Sequence, residues 1–487
     1  MKELTTEVYN SDQHTDENSL YKMRLSQPDM DHSLTYLWGG EQFSQQFTFL
    51  AMTEGQGSIE TCNDIQYTWN VMGVTRYSVT VKAVVGASGT GLNHTAVEVL
   101  FTDNWGIKDY GLLAPDGETQ VRIMEEPVRM GAESWKYKLQ VKGSATDFIA
   151  ASNLEAGAVW VMTAPKVPES GSRGNRSNVQ GPGSFTNQIS FGRYSKIIEG
   201  NMANKVVPIQ FKVKGGGTTN LWMNEEMRQF EVVLRTMENN DFWLSKYNRT
   251  TNGEIPMKYW ENGKPIPEGA GVRETVIEAG NYDTYGYSLS LQKLKNTISE
   301  VFWSKTDSGT MEIVIHGGLG FLEDFDDAIK TDGATNLFSE AIGDQMVSGG
   351  THLSYGKYFT QYRHISGHTL TVKRDVMFDL GPLAELDKKN GNIHPRTGYP
   401  MSSHTGIFLD YSTYEGKRNI VVKEQKGQHA IYKVVPGMSP VPASWRVAVP
   451  DGVAATDKDE TRYEVKVSRG INIKDANHCF LLQSKIA

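Results

Sequence analysis

Cysteine is scarce in this chain: Cys62 and Cys479 are the two among 487 residues. That excludes a disulfide framework and fits a reducing folding compartment. Long apolar runs are missing as well. No stretch approaches the roughly 18 residues that a membrane span needs. The opening residues, MKELTTEVYNSDQHTDENS, are polar and acidic and do not read as a signal peptide. There is no basic excess, since the formal net charge is -8. A generic DNA-coating protein is disfavoured, though a local basic face stays possible. Internal repeats and a Gly-x-Ser-x-Gly nucleophile elbow are also missing.

Glycine, by contrast, is plentiful: 48 residues point to many turns and a strand-rich chain. Length alone suggests roughly three domains. Residues 1–34 hold few large apolar side chains, so they read as an arm that cannot bury a core of its own. From 36 to 165 the signal is strand. Val79 and Val81 alternate with Ser78, Thr80 and Lys82, and Tyr137, Leu139 and Val141 alternate with lysines and Gln140. Val97, Val99 and Phe101, then Val121 and Ile123, follow the same pattern. Such strands are expected to be antiparallel with one face wet. The tract PESGSRGNRSNVQGPGS, 168–184, reads as a mobile loop.

After residue 206 the period changes. Thr218 or Thr219 is placed to cap a helix running to about Tyr247, with Met223, Met227, Phe230, Leu234 and Met237 on one face. At 1.5 Å per residue that is a rod of roughly 40 Å. The segment 263–281 looks too rich in Pro and Gly to be a core element. A second helix carries Leu291, Leu294, Ile298 and Val301, and a short one carries Leu337, Phe338, Ala341 and Ile342. Strands are expected near 369–378, 405–410 and 419–424. The last segment alternates Tyr463, Val465 and Val467 with Glu464, Lys466 and Ser468.

The most enzyme-like stretch is MEIVIHGGLGFLEDFDDAIK, 311–330. An apolar strand leads through Gly317, Gly318 and Gly320 into a helical pattern, as in a phosphate-binding loop. A dinucleotide fingerprint would need glycine where Glu323 stands, and the Gly-Lys-Ser/Thr of a P-loop is missing. Glu323, Asp324, Asp326 and Asp327 would crowd the first helical turns and repel an anion. Those acids could hold a hard cation through oxygen, or simply form a solvated helix start. His364 and His368 have a zinc-compatible spacing, but Gly367 precedes a strand-like TLTV. Lys166, Arg173 and Arg176 could touch phosphate, yet no aromatic accompanies them. No catalytic, cofactor-binding or metal-binding residue is assigned, and no cofactor is expected.

The order of parts is more informative than any motif. The runs PIPEGAGVRETVIEAGNYDTY (266–285), LQKLKNTISEVFW and MEIVIHGGLGFLEDFDDAIK are similar to a run in capsid proteins of crAss-like phages of Bacteroidales. VRIMEEPVRMGAESWKYKLQV (121–141) resembles their E-loop-side strands, and HPRTGYPMSSHTGIFLDYS (394–412) resembles an A-domain turn and strand. The chain therefore resembles tailed-phage major capsid proteins of the HK97-like fold. That resemblance implies an α+β fold with an N-terminal arm (1–35), an E-loop with a β-rich insertion (36–205), and a P domain with a spine helix (206–305). An A domain (306–435) and return strands of the P domain (436–487) would follow. It also implies a structural shell protein rather than an enzyme, assembling with itself into pentamers and hexamers of an icosahedral head around double-stranded DNA. Portal, scaffolding and head-decoration proteins would be partners, DNA would be met non-specifically on the inner face, and no membrane is involved. Assembly would take place in the host bacterial cytoplasm, and the product is the virion. Some relatives cross-link a Lys to an Asn; no position here matches. The alternatives are another β-rich virion protein, such as a decoration or baseplate component, and a nucleotide-dependent α/β enzyme resting on His316–Gly320.

Overall fold

A computed structural model describes residues 48–55, 58–72, 77–84, 91–131, 133–170, 180–200, 206–212, 218–303, 311–331, 361–363, 368–414, 416–427, 430–438 and 454–485. The acidic arm, Arg173 and Arg176 of the Gly/Ser tract, the short helix at Leu337–Ile342 and His364 lie outside these residues. The chain divides into two compact units, Asn70–Ser184 and the residues flanking it on both sides.

In the unit Asn70–Ser184, alternation in the sequence becomes closure in space. Strands Val97–Phe101, Ser78–Val84, Val159–Thr163, Gly111–Leu113, Gln120–Ile123 and Ser134–Val141 pair in that order, and the last pairs back onto the first. Every pairing is antiparallel. The result is a closed six-stranded barrel, and Val128–Gly131 pairs with Ser134–Lys136, the stretch of that strand which Gln120–Ile123 leaves unpaired. Val79, Val81, Val97, Val99, Phe101, Val121, Ile123, Tyr137, Leu139 and Val141 all point into its core. Closure disposes of sheet edges. The tract 121–141, similar to E-loop-side strands, is part of this barrel.

The flanking unit holds two larger sheets. In the first, Glu460–Ile473 is central. It pairs with Ser190–Glu199 over ten residues, and with Ile420–Gln425 and Ala430–Pro436. Ile59–Cys62 extends it, parallel to Ile420–Gln425. The second sheet is mixed, in the order Tyr282–Tyr285, Phe480–Ser484, Thr405–Asp410, Glu312–Gly317, Thr369–Arg374, Gln361–Arg363. Its two faces bury separate cores. Val314, Ile407 and Leu481 face one core, with Phe49, Trp243 and Val276. Ile313, Ile315, Phe408 and Phe480 face the other, with Leu294, Ile298 and Phe321. A strand covered on both sides reads as a continuous apolar run. Sheet hydrogen bonds cross the expected domain limit at 435, because Ile420–Gln425 and Ala430–Pro436 pair with Glu460–Ile473. Among the described residues no helix is long and apolar enough to cross a membrane.

Several local expectations need correction. The long helix is Trp222–Leu244, and Thr218–Leu221 is not its cap but a strand paired with Val206–Lys212. Leu234 is buried as expected, whereas Met237 is exposed and its neighbour Glu238 is buried. The segment 263–281 does contribute to the core, through helix Val272–Glu278, whose Val272 and Val276 are fully buried. The strand expected over 369–378 stops at Arg374, and helical turns Met377–Leu380 and Pro382–Asn390 follow.

Candidate functional site

The glycine turn joins strand Glu312–Gly317 to helix Leu319–Thr331. A helix start presents unpaired N–H groups and a positive dipole end, and so attracts an anion. Here the chain supplies that anion itself. The Leu319 N–H donates to Asp379 Oδ1 at 2.7 Å, and the Gly320 N–H donates to Ser403 Oγ at 2.9 Å. The Ser403 hydroxyl in turn donates to Asp379 Oδ1 at 2.6 Å. Arg374 Nε donates to the other carboxylate oxygen at 2.8 Å. Asp379 sits on the turn Met377–Leu380, which the parallel strand Thr369–Arg374 delivers to this end of the sheet. The slot that a phosphate would use is therefore filled by a buried carboxylate.

The three glycines serve close approach. None of them adopts a positive φ. A Cβ on Gly318 would collide with the Ser403 backbone, and one on Gly320 would lie 2.5 Å from the His404 ring. His316, which precedes them, is fully buried. Its ring meets Phe49 and Trp243 edge-on, and its Nδ1 lies 3.5 Å from Asp375 Oδ2.

The acids of this helix are not a solvated start. The helix begins at Leu319, so its first turn carries no acid. Asp324 is buried and is the hub of a polar junction. Its Oδ2 lies 2.6 Å from His404 Nδ1 and accepts from the Tyr285 hydroxyl at 2.9 Å. Its Oδ1 pairs with Arg396, whose other nitrogen donates to Asp327 Oδ2 at 2.9 Å. The bond to Asp327 raises the Arg396 pKa further. Burial, reinforced by the Asp324 charge, pushes the Tyr285 hydroxyl far above its usual range. His404 Nε2 lies 2.8 Å from Thr397 Oγ1, and His394 stacks on the His404 ring at 3.9 Å. Burial, then the neighbouring His404, depresses the His394 pKa.

Thr397, His404 and Asp324 thus stand in line like a nucleophile, base and orienting acid. Two features make this line structural. His404 and Asp324 have no exposed side-chain surface. Asp324 also pairs through its other oxygen with Arg396, so the carboxylate ties the loop to the helix as well as orienting the His404 ring. The chemistry available is bracing: the loop 391–404 is fastened to helix Leu319–Thr331.

A second buried polar cluster escaped the sequence reading. Arg469, on the central strand, reaches Glu54 and Glu424 at 2.7 Å each and Glu238 at 3.6 Å. Arg235 joins Glu54 at 3.2 Å and Glu238 at 2.9 Å. Burial raises the Glu238 pKa against the lowering effect of these arginines. The local signal was the i, i+3 pair Arg235/Glu238 on a helix. The cluster explains why Glu238 turns inward. The cavity beside it, lined by Tyr194, Asp241 and Phe242 among others, is about 30 Å³, room for a water.

Of the histidines with metal-ligand spacing, His368 is described, and its Nδ1 accepts the Met311 N–H at 3.1 Å. Among the described residues no group of three or more His, Cys, Asp or Glu is placed to hold a metal.

Residues 4–487 match the model of a family described as Crassvirus major capsid protein. Among solved structures, the chain is similar to one from Microbacterium phage Oxtober96, at 8% identity, covering 94% of this chain and 95% of that one, with a TM-score of 0.36. It is similar to one from Mycobacterium phage Cain at 9% identity, covering 95% and 97%, with a TM-score of 0.36. The capsid structure of cyanophage P-SCSP1u is similar at 9% identity over 67% of this chain and 81% of that one, TM-score 0.33. Structural overlaps this loose carry no argument of their own. No curated protein matches the chain.

Proposed function

The chain belongs to the Crassvirus major capsid protein family, and from that premise we propose how it builds the phage head. As a major capsid protein it forms the shell of the virion by assembling with copies of itself. In our reading the copies form pentamers and hexamers of an icosahedral head around double-stranded DNA. The subunit has the HK97-like layout: arm, E-loop with insertion, P domain on the long helix Trp222–Leu244, A domain and return strands. DNA is met non-specifically on the inner face, portal, scaffolding and decoration proteins join the shell, and assembly takes place in the host bacterial cytoplasm. Rotation-related contacts close such rings.

The subunit works without catalysis. What supports this is the structural family to which the chain belongs; Asp379, whose carboxylate caps the helix that a nucleotide phosphate would need, removes the nucleotide reading of the glycine turn. A decoration or baseplate role is what the barrel alone would favour, but the family match runs through the barrel and both flanks. Two measurements test the proposal. Electron microscopy of the purified, concentrated chain should show closed shells or capsomers; discrete small particles would favour a decoration component. ATP and NAD should leave the melting temperature unchanged, whereas a ligand at 100 times its Kd would add about 2.7 kcal/mol.

A further inference from the structure

Residues following the long helix form a hairpin that is ordered yet carries its largest side chains outward. Its base is pinned to the body. Asn248 Nδ2 donates to the Ile266 carbonyl at 2.7 Å, Asn248 Oδ1 accepts from Gln188 Nε2 at 2.8 Å, and Arg249 Nε donates to Gln188 Oε1 at 3.1 Å. Its arms are laced by backbone bonds from Ile266 N–H to Met257 (2.9 Å), Tyr259 N–H to Lys264 (2.8 Å) and Gly263 N–H to Tyr259 (2.8 Å). At the tip Trp260 is 84% exposed, beside Met257 at 53% and Tyr259 at 41%. The Tyr259 and Trp260 rings lie 6.2 Å apart, and Met257 is two residues before Tyr259 on the same arm, so three exposed large apolar side chains fall within four residues at the tip.

A hairpin held by its own backbone does not need tryptophan at its turn. An indole left in water gains nothing for the fold, whereas buried tryptophan is typical of the few residues that dominate an interface. The charges nearby narrow the partner. Between Glu254 and Lys264 the acids Glu254 and Glu261 balance the bases Lys258 and Lys264. A neutral tip has no electrostatic attraction for a polyanion such as packaged DNA. In a shell built from this chain, the surfaces that surround each subunit are copies of itself. We propose that the Met257–Tyr259–Trp260 tip is a self-assembly contact, by which one copy grips a second copy of this chain. The proposal rests on the shell reading. A projecting tip meets a different surface on its neighbour, which is the head-to-tail kind of contact that closes rings.

The test compares full-length wild type with Trp260→Ser and Trp260→Phe. Three readouts are taken: the melting temperature of dilute subunit, the protein concentration at which light scattering and electron microscopy detect shells, and filter binding of double-stranded DNA. Trp260→Ser should melt like wild type, require at least about tenfold more protein to assemble, and bind DNA unchanged. Trp260→Phe should recover part of the loss. Shells from Trp260→Ser at the wild-type concentration would overturn the inference while leaving the shell reading intact. So would a lowered subunit melting temperature for both variants, which would place Trp260 in the fold, or a selective loss of DNA binding. If wild type forms neither shells nor capsomers, the shell reading fails and this inference falls with it.

Discussion

The barrel of residues 70–184 and the junction under the glycine turn are both tightly packed, but different things fill their centres. The barrel core is apolar: Val, Leu, Ile and aromatic side chains from alternate positions of six strands. Its polar atoms leave the centre by short routes, Tyr137 to the Asp103 carbonyl at 2.7 Å and Trp160 Nε1 to the Asn153 carbonyl at 2.9 Å. The junction is filled by Asp324, His404, Tyr285 and Asp379, with arginines at its rim. The first kind of centre requires apolar residues of suitable size in the right register. The second requires each buried polar atom to meet a specific partner, because an unmet one costs about 1–3 kcal/mol. The barrel should therefore tolerate conservative substitution, and the polar centres should not.

The sharpest way to break this comparison is at the ion cluster. Arg469→Leu leaves Glu54, Glu238 and Glu424 facing one another with Arg235 as the remaining cation among these residues. Removing one partner of a buried charge set costs about 3–5 kcal/mol, and urea unfolding should read that loss. The deficit should shrink as pH falls, since protonating the stranded carboxylates relieves them. A loss below about 1 kcal/mol would place the cluster with surface ion pairs and erase the distinction. The barrel counterpart is Leu139→Ala, expected to cost about 2–5 kcal/mol. Its loss should not vary with pH, and Leu139→Met should cost under about 1.5 kcal/mol. If Leu139→Met were as damaging as the alanine variant, the barrel would be no more tolerant than the junction.

These differences also govern what could be read in advance. In the barrel, Tyr137, Leu139 and Val141 declare their burial by alternation with Lys136, Lys138, Gln140 and Lys142 at the intervening positions, so the strands and the core residues were legible together. In the junction the decisive pairs are far apart in the chain: Leu319 to Asp379 is 60 residues and Asp324 to His404 is 80. No local period encodes such a pair. Hence Asp324 passed for a surface acid, and Gly320 passed for a turn residue when its task is to admit the His404 ring. Helix Val272–Glu278 was hidden for a related reason. Its seven residues are too few for a helical period to stand out among the glycines and prolines around them, and tertiary packing of Val272 and Val276 decides its place.

Asp379→Ala tests whether the carboxylate stands in for an anion. It strands the Leu319 N–H and the Ser403 hydroxyl, at a cost of about 1–3 kcal/mol, and leaves Arg374 without this carboxylate. The vacated site should then accept an inorganic anion. Phosphate at constant ionic strength should raise the melting temperature of the variant and not that of wild type. Equal effects of phosphate on both proteins would show that Asp379 does not occupy an anion site.

The smallest effect is expected at His394, and its sign is fixed by linkage. The unfolded chain takes up a proton at this side chain near pH 6.5. The folded chain takes it up lower, because burial disfavours the charged imidazole and the neighbouring His404 and then Arg396 add to that, against the partial help of Asp324 and the Tyr287 backbone. Between the two values the unfolded state holds more protons, so stability rises with pH through that window. His394 thus favours the fold fully above about pH 6.5, and its contribution is lost as pH falls toward the folded value. Other groups titrate in the same range, so the measurement is a difference. Thermal melts of wild type and His394→Phe are compared from pH 7.5 down to pH 5.5, the phenyl ring keeping the stack on His404. The wild-type melting temperature should fall more steeply than that of the variant. Parallel curves would mean that His394 takes its proton as readily folded as unfolded, and that this part of the junction behaves like the apolar barrel.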